Sequence, residues 1–139
     1  MSDSSRFLNL LSHRIVLFDG AMGTMLYSTG IFINRCFDEL NLSAPDVVLS
    51  VHNDYVKSGA DVIETNTFGA NRIKLAPYGL ESKVKDINTR GVELARKAIG
   101  NSEVLIAGSI GPAGKVLEPA GPFSLDEARS VFSEQAIAL

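Results

Sequence analysis

Three short segments of the chain are almost unbroken in apolar and β-branched residues: Ile15-Val16-Leu17-Phe18, Asp61-Val62-Ile63-Glu64-Thr65 and Val104-Leu105-Ile106-Ala107-Gly108-Ser109. A strand with one wet face alternates apolar and polar side chains, whereas a strand covered on both faces does not. The three segments therefore read as strands buried on both sides, the pattern of a parallel sheet. Parallel neighbours need a long crossover, usually a helix. The residues between the segments supply one each time. Over Pro45–Lys57 the chain places Val47, Val48, Val51, Tyr55 and Val56 on one side, with Ser43 as a candidate N-cap and Gly59 as the stop. A second helix is predicted over 82–99, carrying Val84, Ile87, Val92, Leu94, Ala95, Ala98 and Ile99, with Gly91 weakening the pattern. A third begins at Ser124, whose spacing to Glu127 reads as a capping box, and runs to Leu139. Strands alternating with helices in this order imply βαβ units and an α/β fold.

Such a fold places ligands beyond the C-terminal ends of its strands. The segments there are Asp19-Gly20-Ala21-Met22-Gly23-Thr24, Glu64-Thr65-Asn66-Thr67-Phe68 and Ser109-Ile110-Gly111-Pro112. A carboxylate at a strand end can accept hydrogen bonds from a ligand ammonium. The glycine after it lets the backbone approach an anion. An amino acid carries both charges on one carbon, so Asp19-Gly20 suits one. The competing reading is that Asp19 only caps the next turn. A phosphate site is disfavoured, because Asp19 would repel the anion and no G-x-G-x-x-G or G-K-[ST] pattern is present. Further along, strand alternation predicts that Glu64 and Asn66 share one face, with Ile63, Thr65 and Thr67 on the other. A charge inside a closed barrel needs a partner or a ligand. A purely structural network of polar groups at the barrel mouth competes with the ligand reading. Ser109 can hydrogen-bond a ligand, Gly111 allows close approach, and Lys115 reads as a solvated loop residue.

The rest of the composition narrows the class. With 139 residues, 45% of them hydrophobic, the chain suffices for one core, so residues 1–139 read as a single domain. The net charge is −3 and the Lys and Arg residues are scattered, which argues against a nucleic-acid surface. The stretch MSDSSRFLNLLSHR does not read as a signal peptide, and no apolar run approaches the ~20 residues of a membrane span. The single cysteine, Cys36, cannot form an internal disulfide. These features together predict a cytoplasmic protein acting on a small molecule or another protein. His13 and His52 stand apart from each other and from Cys36. Zinc takes about four clustered ligands, so no metal ligand and no catalytic residue is assigned within this chain.

Four stretches carry a family resemblance: Leu17-Phe18-Asp19-Gly20-Ala21-Met22-Gly23-Thr24; Cys36-Phe37-Asp38-Glu39-Leu40-Asn41-Leu42; Gly59-Ala60-Asp61-Val62-Ile63-Glu64-Thr65-Asn66-Thr67-Phe68-Gly69-Ala70-Asn71; and Gly108-Ser109-Ile110-Gly111-Pro112. In order and spacing they resemble the homocysteine S-methyltransferase domain family, over about 15–134. The likeness is greatest to homocysteine-binding modules of cobalamin-dependent methionine synthase and of bacterial fusions with methylenetetrahydrofolate reductase. Betaine-dependent relatives differ in the residues after Asp-Gly. The resemblance implies a (β/α)8 TIM-type barrel in which a zinc-bound homocysteine thiolate takes a methyl group to give methionine. It implies a substrate site made of Asp19, Gly20, Ala21, Glu64, Asn66, Thr67 and Ser109. It further implies methyltetrahydrofolate as donor through cobalamin, on a separate methyl-donor domain or protein.

A full barrel takes ~250 residues, and the family's zinc cysteines lie in its second half. The chain is therefore expected to represent the N-terminal half, cut after about three parallel strands, with the zinc cysteines beyond residue 139. Alone it is expected to be inactive and to self-associate through unpaired strand edges. The alternative is a non-catalytic remnant or an assembly fragment of a split barrel.

Overall fold

The second and third apolar segments become strands. In the computed structural model, which describes residues 3–32 and 34–139, β1 (Val62–Glu64) and β2 (Leu105–Ala107) pair in parallel, with Val62 opposite Leu105, Ile63 opposite Ile106 and Glu64 opposite Ala107. Met1 and Ser2, which begin the stretch that does not read as a signal peptide, lie outside the described residues. The helices are α1 (Asp3–His13), α2 (Met22–Ser28), α3 (Leu40–Ser43), α4 (Pro45–Lys57), α5 (Arg72–Leu75), α6 (Val84–Ile99) and α7 (Leu125–Ala138), with single 3-10 turns at Ala76–Tyr78 and Glu81–Lys83. The fold is mixed α/β, and β1, α6 and β2 form the βαβ unit that the sequence predicts.

The first predicted strand is a correction. Residues 15–18 run beside β1, but only Phe18 forms a bridge, to Val62. The Leu17 carbonyl accepts from the Asp61 and Val62 amides, and the Asp19 amide donates to the Val62 carbonyl. The Leu17 amide is taken by the Asp61 carboxylate at 2.9 Å. That carboxylate also holds the Arg14 guanidinium through bonds of 2.7 and 2.6 Å. The side chain thus occupies a donor that a longer ladder would use. The segment's outer side is open, with Ile15 83% exposed.

Helix α4 has the predicted bounds, with Pro45 in its first turn and Gly59 at φ +91° just past its end. Ser43 does not cap it. Ser43 closes the preceding α3 and donates to the Glu39 carboxylate at 2.8 Å, while Ala44 stands at the cap position. Ser124 does cap α7, accepting from the Glu127 amide at 3.1 Å. The predicted helix over 82–99 begins two residues late, because the chain first makes the 3-10 turn Glu81–Lys83.

Helix α6 packs between α4 and α7. Leu94 joins Leu26, Leu40, Val48 and Val51 in one buried cluster, and Val84 and Ile87 join Ala70 and Leu75 in a second. Gly91 lies on the buried face of α6, where a Cβ would sit 2.6 Å from Thr67 Cγ2 and 2.9 Å from Asn41 Nδ2. In an open helix Gly→Ala stabilises by ~1 kcal/mol. Here both neighbours are fixed by other bonds, so Gly91→Ala is expected to destabilise by about 2 kcal/mol through overpacking. Urea denaturation reads this as a lowered midpoint at unchanged slope; a midpoint at or above the parent value would refute it.

Candidate functional site

All seven residues expected to contact substrate line one cleft of about 830 Å³ beyond the strand ends: Asp19, Gly20, Ala21, Glu64, Asn66, Thr67 and Ser109. The apolar strand pattern ends at or just before Asp19, Glu64 and Ser109, which brings their polar groups to the cleft, while Asn66 and Thr67 line it as buried residues.

Asp19 is half-buried. Its Oδ2 accepts from the Glu64 amide at 3.0 Å, which ties the first apolar segment to the end of β1. Burial pushes the Asp19 carboxyl up to about 6; the nearby Glu64 carboxylate adds to this, and the Glu64 amide opposes it. Glu64 accepts from the Ser109 hydroxyl at 2.8 Å, so Asp19, Glu64 and Ser109 form a connected acidic wall. Gly20 allows a close approach: a Cβ there would stand 2.9 Å from the Tyr55 hydroxyl and force it to shift. That hydroxyl reaches from α4 to the Ala21 carbonyl at 3.3 Å.

Asn66 and Thr67 line the cleft, but their polar groups also bond behind it. The Asn66 amide donates to the Phe37 carbonyl at 2.8 Å and to Asn41 Oδ1 at 3.0 Å. It therefore turns towards α3 and does not share a direction with Glu64, as strand alternation had predicted. The chain has left β1 by residue 65, so the period of two no longer applies. Thr67 Oγ1 meets Thr65 Oγ1 at 2.6 Å and donates to the Ser109 carbonyl at 2.8 Å. The Ser109 amide donates to Thr65 Oγ1 at 3.0 Å. The structural network weighed as a competing reading exists, and it stands directly behind the cleft.

Several members of that support have no site role assigned from the sequence, although Asp38 and Asn41 lie in the Cys36–Leu42 stretch of the resemblance. Asn41 Nδ2 donates to the carbonyls of Asn66 at 2.8 Å and Ile87 at 3.1 Å. Gln135, buried on α7, donates to the Thr67 carbonyl at 2.7 Å. Asn88 on α6 donates to the Ala70 carbonyl at 2.8 Å. Asp38 accepts from the Gly69 amide at 2.9 Å.

Other polar candidates serve structure. Lys115 pairs with Glu127 at 3.6 Å and lies over the Phe123 ring. Cys36 also lines the cleft, and burial pushes its thiol up, away from thiolate. Among the described residues no three His, Cys, Asp or Glu side chains cluster in a way that could hold a metal ion. A zinc ion needs about four donors, so the residues present do not fit a zinc site.

Fold and cleft together define an α/β protein with an acid-lined polar pocket past the ends of its parallel strands. The chain belongs to the homocysteine S-methyltransferase family, whose model matches residues 16–139. Methionine synthase of Mycobacterium tuberculosis is 32% identical over 143 residues, covering 95% of this chain and 12% of that enzyme; methionine synthase of Mycobacterium leprae gives the same figures. Among solved structures, the homocysteine methyltransferase MmuM from Escherichia coli in its metallated form superposes with a TM-score of 0.77 at 27% identity, over 94% of this chain and 52% of that one. Its oxidized form gives a TM-score of 0.66 at 33% identity, over 76% of this chain and 40% of that one. The chain thus spans about half of the Escherichia coli enzyme and a small part of the methionine synthases. Among the described residues no helix is long and apolar enough to cross a membrane.

Proposed function

We propose that this chain holds the amino acid end of homocysteine within a (β/α)8 barrel methyltransferase that makes methionine. The observation that carries the reading is the acidic wall of Asp19 and Glu64, held by Ser109 and opening on the cleft. Either carboxylate can accept from the substrate ammonium. Gly20 and Ala21 line the same space, and a side chain at Gly20 would crowd the Tyr55 hydroxyl. Thr67 completes the wall and is fixed from behind. The methyl donor, methyltetrahydrofolate through cobalamin, would be presented by a separate domain or protein. In the family a zinc ion would keep the homocysteine sulfur as a thiolate. Among the described residues no cluster fits that ion, so the role proposed for this chain is substrate binding.

The test is calorimetric titration of the full-length protein with L-homocysteine. Asp19→Asn removes a charge-assisted bond to the ammonium and is expected to weaken binding by about tenfold or more. Because the free Asp19 carboxyl titrates near 6, affinity in the parent should fall as pH drops below that value, and this fall should shrink in Asp19→Asn. Unchanged affinity in the variant would overturn the assignment.

A further inference from the structure

Asp38 belongs to the Cys36–Leu42 stretch of the family resemblance, which holds none of the groups proposed to touch homocysteine. Its carboxylate crosses to the turn after β1. Oδ1 accepts from the Gly69 amide at 2.9 Å. Oδ2 lies so close that a Cβ on Gly69 would sit 2.8 Å from it. The Cys36 thiol stands 3.9 Å from the same oxygen, and the Lys74 ammonium is the cation near it. Both carboxylate oxygens are thus engaged within the protein, although Asp38 itself lines the cleft.

The turn it grips carries Thr67 and Phe68. The Thr67 carbonyl is held by Gln135 and by the Ala70 amide, and the Phe68 carbonyl by the Gly111 amide at 2.8 Å. Gly69 is the point where the turn is held from the α3 side. Loss of that bond frees the Gly69 end of the segment that brings Thr67 and Phe68 to the cleft. We infer that Asp38 is a positioning residue for the homocysteine site, clamping the turn 67–69 through the Gly69 amide. The inference rests on the homocysteine reading above. Gly69 belongs to the same contact: a Cβ there would stand 2.8 Å from Oδ2 and press on the carboxylate that holds the amide.

The experiment is titration of the full-length protein with L-homocysteine in three variants. Asp38→Ala removes the acceptor and is expected to weaken binding by about tenfold. Asp38→Asn keeps an oxygen for the Gly69 amide and is expected to restore affinity to within about threefold of the parent. Gly69→Ala pushes against Oδ2 and should behave like Asp38→Ala. Parent-like affinity in Asp38→Ala overturns the inference, as does an Asp38→Asn variant as weak as Asp38→Ala. Should Asp38→Ala fail to fold, Gly69→Ala decides: parent-like affinity there overturns the clamp. A parent protein that does not bind homocysteine overturns the homocysteine reading and this inference with it. A parent that binds, with Asp38→Ala binding equally, overturns only the role of Asp38.

Discussion

Asn41→Ala is expected to lower the unfolding free energy by about 3 kcal/mol, because it strands polar groups in a dry interior. Asn41 is fully buried. Its amide nitrogen serves the Asn66 and Ile87 carbonyls, and its oxygen accepts from the Asn66 amide. Alanine leaves the Asn66 carbonyl without this donor and removes one of the two acceptors of its side-chain amide. It also opens a void beside Gly91, where the helix comes close enough to exclude a methyl group. Removing one partner of a buried bond costs more than the bond contributes in net, since the remaining group stays desolvated. Urea denaturation checks the value, and a loss below about 1 kcal/mol would refute it. Asn41 and Asn66 bond each other, so the double variant Asn41→Ala, Asn66→Ala should cost less than the two single changes added together.

This support is what the sequence showed least. Asn41, Asn88 and Gln135 are polar residues on helices, and an apolar periodicity says nothing of their partners. Their partners lie 25, 18 and 68 residues away, at Asn66, Ala70 and Thr67. No local pattern reports contacts of that span. Gly91 did leave a trace. A glycine inside an otherwise helical pattern either costs stability or allows a close approach, and the structure shows the second. Tyr55 was legible as part of the apolar face of α4, while its hydroxyl, which reaches Ala21, was not.

The acidic wall was legible for a simple reason. Asp19, Glu64 and Ser109 follow apolar runs directly, and an α/β fold brings such positions to one end. What the runs could not show is how far each strand extends. The 61–65 and 104–109 segments pair with each other, whereas the 15–18 segment makes one bridge because the Asp61 side chain takes the Leu17 amide. A polar side chain that competes for a ladder donor looks like any other strand-edge acid in the sequence. The same limit applies to Asn66: alternation placed it beside Glu64, but β1 ends at Glu64 and the chain turns before the next residue of that face.

The chain is also expected to lose stability on mild acidification through His52, by roughly 3 kcal/mol between neutral pH and pH 4. His52 is fully buried on α4, and neither ring nitrogen has a hydrogen-bond partner. Burial pushes its pKa down to about 4, so the folded protein keeps the ring neutral where the unfolded chain, with an ordinary value of 6.5, already binds a proton. The unfolded state therefore binds more protons across that window, and stability is complete above about 6.5 and falls as pH drops towards 4. Asp19 acts in the opposite sense. Its carboxyl, raised to about 6 in the folded state, favours folding below its unfolded value and loses that contribution as pH rises from 3.8 through 6. Asp61 lies outside the window, because its Arg14 bond holds it down to about 2, and its contribution is lost only as pH falls from 3.8 towards that value. The net slope in the parent thus sets His52 against Asp19 and against Asp38, whose carboxyl burial also pushes up, and a His52→Leu variant isolates the histidine. Leucine has a similar volume and no proton to bind. Thermal unfolding followed from pH 7 to pH 4 should show a shallower loss in His52→Leu than in the parent, with the gap widening as pH falls. Parallel curves would show that His52 is already paired or solvated in the folded protein, and would refute its role.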